Sequence, residues 1–132
     1  MDYDDFIGAV QHRAQLGDRQ SAITATRATL ETLGERLLEE QSTNLASELP
    51  QEVGEYLRHV SGPERFDAQE FLTRVARKEN KDANEATYHA RVVTEVLREA
   101  VSPGAFEKLE RSLPDDYGPL IRSGSSGPMA AS

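Results

Sequence analysis

The chain repeats itself. Residues 45–54 (LASELPQEVG) align with residues 109–118 (LERSLPDDYG) at an offset of 64. The same offset pairs Leu33-Gly34-Glu35-Arg36-Leu37 with Leu97-Arg98-Glu99-Ala100-Val101, and Asp18, Ala22 and Arg27 with Asp82, Ala86 and Arg91. Near the start of each copy the offset is 65, pairing Asp2 with Asp67, Phe6 with Phe71 and Val10 with Val75. One residue is gained or lost near Leu16, where the pattern predicts a loop. A period of this kind constrains the whole fold, because each copy is one structural unit that must bury its apolar face. With only 132 residues, two separate domains would each bury too little surface, so one shared core is expected.

Each copy reads as a helix, a long helix and two short helices. In the second, Asp67 stands at an N-cap with Glu70 at the capping-box position, and Phe66 and Phe71 have hydrophobic-staple spacing. Asp2, Asp5 and Phe6 follow the same pattern less fully. Phe6, Ile7 and Val10 share one helical face, as do Phe71, Leu72 and Val75. The long helices begin at Asp18 and Asp82. Their apolar stripes are Ala22, Ile23, Leu30, Leu33 and Leu37, then Ala86, Ala90, Val93, Leu97 and Val101. Leu49-Pro50 and Leu113-Pro114 predict corners: the residue before a proline is pushed out of helical geometry, and proline suits a first helical turn. Gly54 and Gly118 follow at matching places. Glycine inside a helix costs about 1 kcal/mol against alanine, so close approach of another helix is expected there, with a merely tolerated surface glycine as the plainer reading.

The expected organisation is therefore all-α, with two tandem four-helix units, 1–60 and 66–122, packed as one bundle with approximate two-fold pseudo-symmetry. The short linker Ser61 to Arg65 keeps the units together. Residues 123–132 carry no apolar period and are expected to be a disordered tail.

Composition limits function. The net charge of -8, from 23 acidic and 15 basic residues, repels phosphate backbones and anionic lipid. Lysines are only Lys78, Lys81 and Lys108, and an acid-rich, lysine-poor surface suits concentrated salt. There is no cysteine, which excludes disulfides, thiol catalysis and thiolate metal sites. No apolar run approaches the length of about 20 residues needed to span a membrane. The acidic start MDYDDF is not a signal peptide. A cytoplasmic location is expected.

The DxxxF openings at Asp2 and Asp67, the long helices ending in LGERL and LREAV, and the closing LPQEVGEYL and LPDDYGPLI resemble domain-of-unknown-function family 2267. The resemblance covers nearly all of the chain except the tail. It implies a small helical protein of a kind found in bacteria and prominent in haloarchaea, and it carries no catalytic residue over to this sequence.

Candidate chemistry is sparse. Glu55 and His59, and Glu85 and His89, stand four apart, which puts each pair on one helical face where a carboxylate and an imidazole could start a metal site. The repeat counterparts of the histidines are Ser123 and Ala25, so the internal symmetry echoes neither pair and a surface ion pair is the plainer expectation. His12 reads as a solvated helix residue. General acid–base chemistry needs a carboxyl in an apolar pocket, whereas Asp115-Asp116 open a short helix and read as caps, like Asp18, Asp67 and Asp82. Asp4-Asp5 and Glu39-Glu40 are further paired carboxylates. No GxSxG, SxxK or phosphate-loop pattern occurs. Arg74, Arg77, Lys78 and Lys81 cluster at a helix C-terminus, with Tyr88 the one aromatic nearby. That cluster is a weak nucleic-acid signature beside the ordinary preference of cations for that end. Tyr56 and Tyr117, near the LP corners, suit either packing or an interface.

The expected function is a non-enzymatic protein–protein interaction module, with another protein or a second copy as its partner and without cofactors. The alternatives are a small-molecule or metal-binding protein using the groove between the units, and a nucleic-acid-associated regulator. The halves differ at Ile23 against Thr87, Leu30 against Thr94 and Tyr56 against Leu120, and functional residues are expected where they differ.

Overall fold

Short polar side chains placed just ahead of apolar periods decide where the helices begin. The computed structural model describes residues 1–60 and 62–122. It contains α1 (Tyr3–Arg13), α2 (Arg19–Arg36), α3 (Glu39–Ala46), α4 (Gln51–Arg58), α5 (Ala68–Glu79), α6 (Ala83–Ala100), α7 (Pro103–Ser112), a 3₁₀ turn (Asp115–Tyr117) and α8 (Gly118–Arg122). The described residues contain no strand. The tail expected at 123–132 lies outside them.

Asp2, Asp18, Asp67 and Asp82 accept the backbone N–H three residues on, at 2.8, 2.6, 2.8 and 2.8 Å. Ser102 does the same for α7 at 3.2 Å. Each satisfies a donor that the first helical turn leaves without a partner. The fuller capping box is in α1, where Asp5 returns the bond to the Asp2 N–H at 3.2 Å. In α5 the Glu70 carboxylate turns to Arg74 Nε at 2.9 Å. Phe66 and Phe71 do meet, with ring centroids 6.5 Å apart.

The expected length change lies between the first two helices of each unit. Both α1 and α5 end on a left-handed residue, Gln15 (φ 56°) and Asn80 (φ 57°). Leu16 and Lys81 then donate back to the carbonyls of Gln11 and Ala76 at 3.0 and 3.1 Å, closing the same C-terminal motif. Asp82 follows two residues after Asn80, whereas Gly17 adds one residue before Asp18. The last helix is where the copies part. α4 is continuous, but its counterpart is split into a 3₁₀ turn and α8. Pro119 explains the split: it has no N–H to donate to the Asp115 carbonyl four residues back, and its ring clashes there in a regular helix. Glu55 holds that place in α4.

α2 and α6 pack on one another. α1 lies against both of them, and so does α5. α4 covers α2 and α3, while α8 covers α6. Phe6, Val10, Leu33, Leu37, Leu49 and Val53 of the first half and Phe71, Val75, Leu97, Leu113, Tyr117 and Ile121 of the second are all buried in one cluster. Leu49 and Leu113 plug that core, and Pro50 and Pro114 stand as the residues before the helical turns that follow.

The two glycines behave differently. A Cβ on Gly54 would meet the Ala46 carbonyl oxygen at 2.9 Å and the Ala46 Cβ at 3.2 Å, so α3 and α4 touch there. At Gly118 the added atom would meet the guanidinium of Arg122, the mobile end of a long side chain, so close helix packing is not what places that glycine.

α2 also buries hydroxyls. Thr26 and Thr29 are 0% and 2% exposed, and their Oγ1 atoms have no hydrogen-bond partner. A buried polar group without a partner carries its full desolvation cost. The second unit has Ala90 and Val93 at these places. Thr29→Val, which keeps the shape, is expected to raise stability by about 1 kcal/mol in urea denaturation. A loss of stability in that measurement would contradict the reading.

Candidate functional site

The histidine–glutamate pairs read from helical spacing are not the pairs that form. His59 reaches across to α2, with Nε2 2.8 Å from Glu31 Oε2, and its Nδ1 sits 3.0 Å from the Glu55 backbone oxygen. The Glu55 carboxylate pairs with Arg58 at 3.0 Å instead. Glu85 is exposed. His89 turns inward, with Nδ1 2.6 Å from Glu79 Oε1 at the end of α5, and the two side chains are 6% and 3% exposed. The expected surface ion pair at His89 is thus a buried one with another partner. α5 packs along α6, which brings residues ten apart together more closely than four-residue spacing does. His12 is exposed, as expected. No group of three or more His, Asp or Glu side chains is arranged to hold a metal ion among the described residues.

The acidic caps also reach further than spacing suggests. Asp116 accepts the Ala68 N–H at 2.8 Å, so it caps α5 from across the molecule instead of its own turn. Arg74 sits among three carboxylates, with Glu35 at 3.2 Å, Glu64 at 3.1 Å and Glu70 at 2.9 Å. Its guanidinium carbon lies 3.9 Å from the Phe66 ring centroid. The Glu64 hydrogen bond leads in holding the Arg74 guanidinium protonated beyond its ordinary range. Lys78 Nζ meets Glu35 Oε2 at 2.9 Å and Thr32 Oγ1 at 3.0 Å. Two of the four cations in the expected basic cluster are therefore neutralised against α2 and the linker, which leaves Arg77 and Lys81 exposed. Net-negative surroundings of this kind disfavour a phosphate backbone.

The tyrosines are packing residues with anchored hydroxyls. Tyr117 donates to the Phe66 carbonyl at 2.7 Å and meets the Phe71 ring edge-on at 5.7 Å. Burial pushes the Tyr117 and Tyr56 phenols up to about 12, with a Tyr3 hydrogen bond adding at Tyr56. A raised folded pKa contributes stability that is whole below the unfolded value of about 10 and lost as pH rises through the folded one. Ultraviolet titration is expected to show both phenols ionising only near pH 12 in the native chain, with stability falling between pH 10 and 12. Ionisation of all four tyrosines together near pH 10, with the chain still folded, would contradict this.

The largest of the concavities described lies between α3 and α7. It is a cleft of about 840 Å³. Leu37, Leu45, Ala105 and Leu109 make its apolar floor, Glu40 lies on the α3 wall, and Lys108 and Arg111 lie on the α7 wall. Glu48 bridges one end, accepting from the Ser102 N–H at 2.7 Å and facing the Ser102 hydroxyl at 3.3 Å. Neither Glu40 nor Lys108 has an ion-pair partner among the described residues, while Arg111 has only the exposed Glu107 at 3.4 Å.

A family model described as an uncharacterized conserved protein (DUF2267) matches residues 3–120. The chain belongs to that family. No curated protein matches it. Membership in DUF2267 agrees with the resemblance seen in the sequence and with the all-α architecture. No helix among the described residues is long and apolar enough to cross a membrane.

Spacing alone did not single out Glu79, Leu38 or Gly34 in this DUF2267 chain. A signal for Leu38 existed. The repeat places it opposite Ser102, which caps α7, yet Leu38 stands at the N-cap of α3 with no side-chain cap bond, and Gln41 Oε1 accepts its N–H at 3.0 Å. Leucine is among the poorest N-cap residues. Leu38 is also 54% exposed, one of two large apolar side chains so placed among the described residues.

Proposed function

We propose that this chain is a non-enzymatic interaction protein whose α3–α7 cleft receives a protein segment. The observation that carries the reading is an apolar floor of four side chains flanked by charges of both signs without ion-pair partners among the described residues, in the largest concavity among those described. A concave surface with an apolar base and a charged rim is the usual form of a binding site. The mutual packing of α1 on α6 and α5 on α2 supports an approximate two-fold between the units, and α3 and α7 are then counterparts facing each other across it. The acidic, lysine-poor surface supports a salt-rich cytoplasm as the setting.

The absence of cysteine makes the test direct. Asn44→Cys, labelled with a photo-crosslinker, places a probe on the cleft wall, and the same probe at Gln20→Cys samples a remote exposed position. The expected result in native lysate is a discrete adduct from position 44 alone, lost when Ala105→Gln fills the cleft floor. Equal or absent labelling from both positions counts against the reading. A second reading has its own support, because about 840 Å³ falls within the range of small-molecule pockets. A metabolite panel read by thermal shift, with Ala105→Gln abolishing any response, would favour it.

A further inference from the structure

We infer that the segment received by the cleft belongs to a second copy of this chain, so that two chains pair through their α3–α7 faces. The inference rests on the interaction reading above and names its partner.

The face is its own complement. Glu40 is exposed on the α3 wall and Lys108 is exposed on the α7 wall, each without an ion-pair partner among the described residues. A two-fold axis through the mouth of the cleft lays the α3 wall of one copy on the α7 wall of the other. Glu40 then meets Lys108 and Arg111 twice, once on each side of the axis, which is what an isologous contact requires. The reverse register would put like charges together, so charge also selects the orientation.

Leu38 supplies the apolar anchor. It immediately follows Leu37, which lies on the cleft floor, and it precedes Glu40 and Gln41 on the α3 wall. The chain holds a leucine where its own second copy holds the capping Ser102, and that leucine is left 54% exposed. A helix start that forgoes its cap and leaves an apolar side chain exposed, next in the chain to a residue of the cleft floor, is a local rule broken beside that cleft. In the paired state each Leu38 is covered by the facing copy. The overall charge of -8 opposes association at low ionic strength, and added salt relieves that repulsion by shortening the Debye length to about 8 Å at 0.15 M.

Sedimentation equilibrium of the full chain in about 0.15 M salt tests the inference. The expected mass is twice 14.6 kDa. Leu38→Ser is expected to weaken pairing at least tenfold while raising the melting temperature of the diluted monomer, because it gives α3 the kind of cap that Ser102 gives α7. Glu40→Lys and Lys108→Glu are each expected to be monomeric alone and to pair when mixed, since mixing restores opposite charges at both contacts. A single-chain mass at every concentration overturns the inference. So does a dimer that these substitutions leave unchanged, or a mixture of the two charge reversals that stays monomeric. A monomer that still gives a cleft-specific adduct with another protein from position 44 overturns pairing alone. A monomer with no adduct overturns the interaction reading as well.

Discussion

His89→Ala is expected to destabilise the chain by about 3–5 kcal/mol, a large share of the 5–15 kcal/mol typical of a folded domain. The cost comes from Glu79 rather than from the imidazole itself. The Glu79 side chain is 3% exposed and His89 Nδ1, at 2.6 Å, is its hydrogen-bond partner. The other carboxylate oxygen already has none. Removing one member of a buried pair leaves an uncompensated charge where water cannot reach it, and that is far more costly than replacing both members by apolar groups. The repeat supplies the control. The counterparts of Glu79 and His89 are Ala14 and Ala25, which are 5% and 0% exposed. Glu79→Ala combined with His89→Ala is therefore expected to be clearly more stable than His89→Ala alone, despite the additional cavity. Urea denaturation of the three variants decides this. A single variant within about 1 kcal/mol of the parent, or a double variant no better than the single, would show that the pair is not coupled as described.

Gly34→Ala is expected to cost about 3 kcal/mol, at the upper end for overpacking a tight core, although alanine in place of glycine within a helix ordinarily gains about 0.5–1 kcal/mol. An added Cβ would collide with the Leu57 carbonyl oxygen, lie 2.6 Å from Val60 Cγ2 and 3.2 Å from the Leu57 carbonyl carbon. Two of those three atoms are main chain of α4, so relief requires α4 to move off α2. The second unit solves the same contact differently. Arg98 stands at the place of Gly34 and donates to the carbonyl of Ile121, the counterpart of Leu57. Its guanidinium also stacks on Phe106 at 4.8 Å. The shorter α8 accommodates a side chain there, and α4 does not. Gly8→Ala supplies the opposite sign, because nothing lies within 4 Å of its added Cβ and the helix-forming gain of about 0.5–1 kcal/mol stands alone. Thermal melts of the two variants should shift in opposite directions; a shift of the same sign in both would refute the packing argument.

The candidate site was only partly legible in the sequence. The cleft floor contains Leu37, Leu45 and Leu109, residues of the repeat that helical spacing readily marks as apolar. Their position beside a gap between α3 and α7 depends on how far apart two helices from different halves come to rest. Arg74 read as a helix-end cation because its spacing to Glu70 is local, while Glu35 and Glu64 reach it only after α5 packs on α2 and the linker folds back. The linker contact is visible in Glu64, whose N–H donates to the Glu35 carbonyl at 2.8 Å.

By itself the sequence determined the helices, their order and most of their ends, and it carried the chain's family. These follow from short-range physics. An Asp side chain reaches a backbone N–H three residues on, Pro119 acts on the carbonyl four residues back, and apolar periodicity selects one face. The tertiary structure alone decided that His89 answers Glu79, that Asp116 caps α5, that Gly34 admits α4 and that α3 and α7 leave a cleft. Each of those depends on the distance between elements far apart in the chain. The repeat could indicate that the halves are alike, but only their packing showed where like positions meet unlike surroundings.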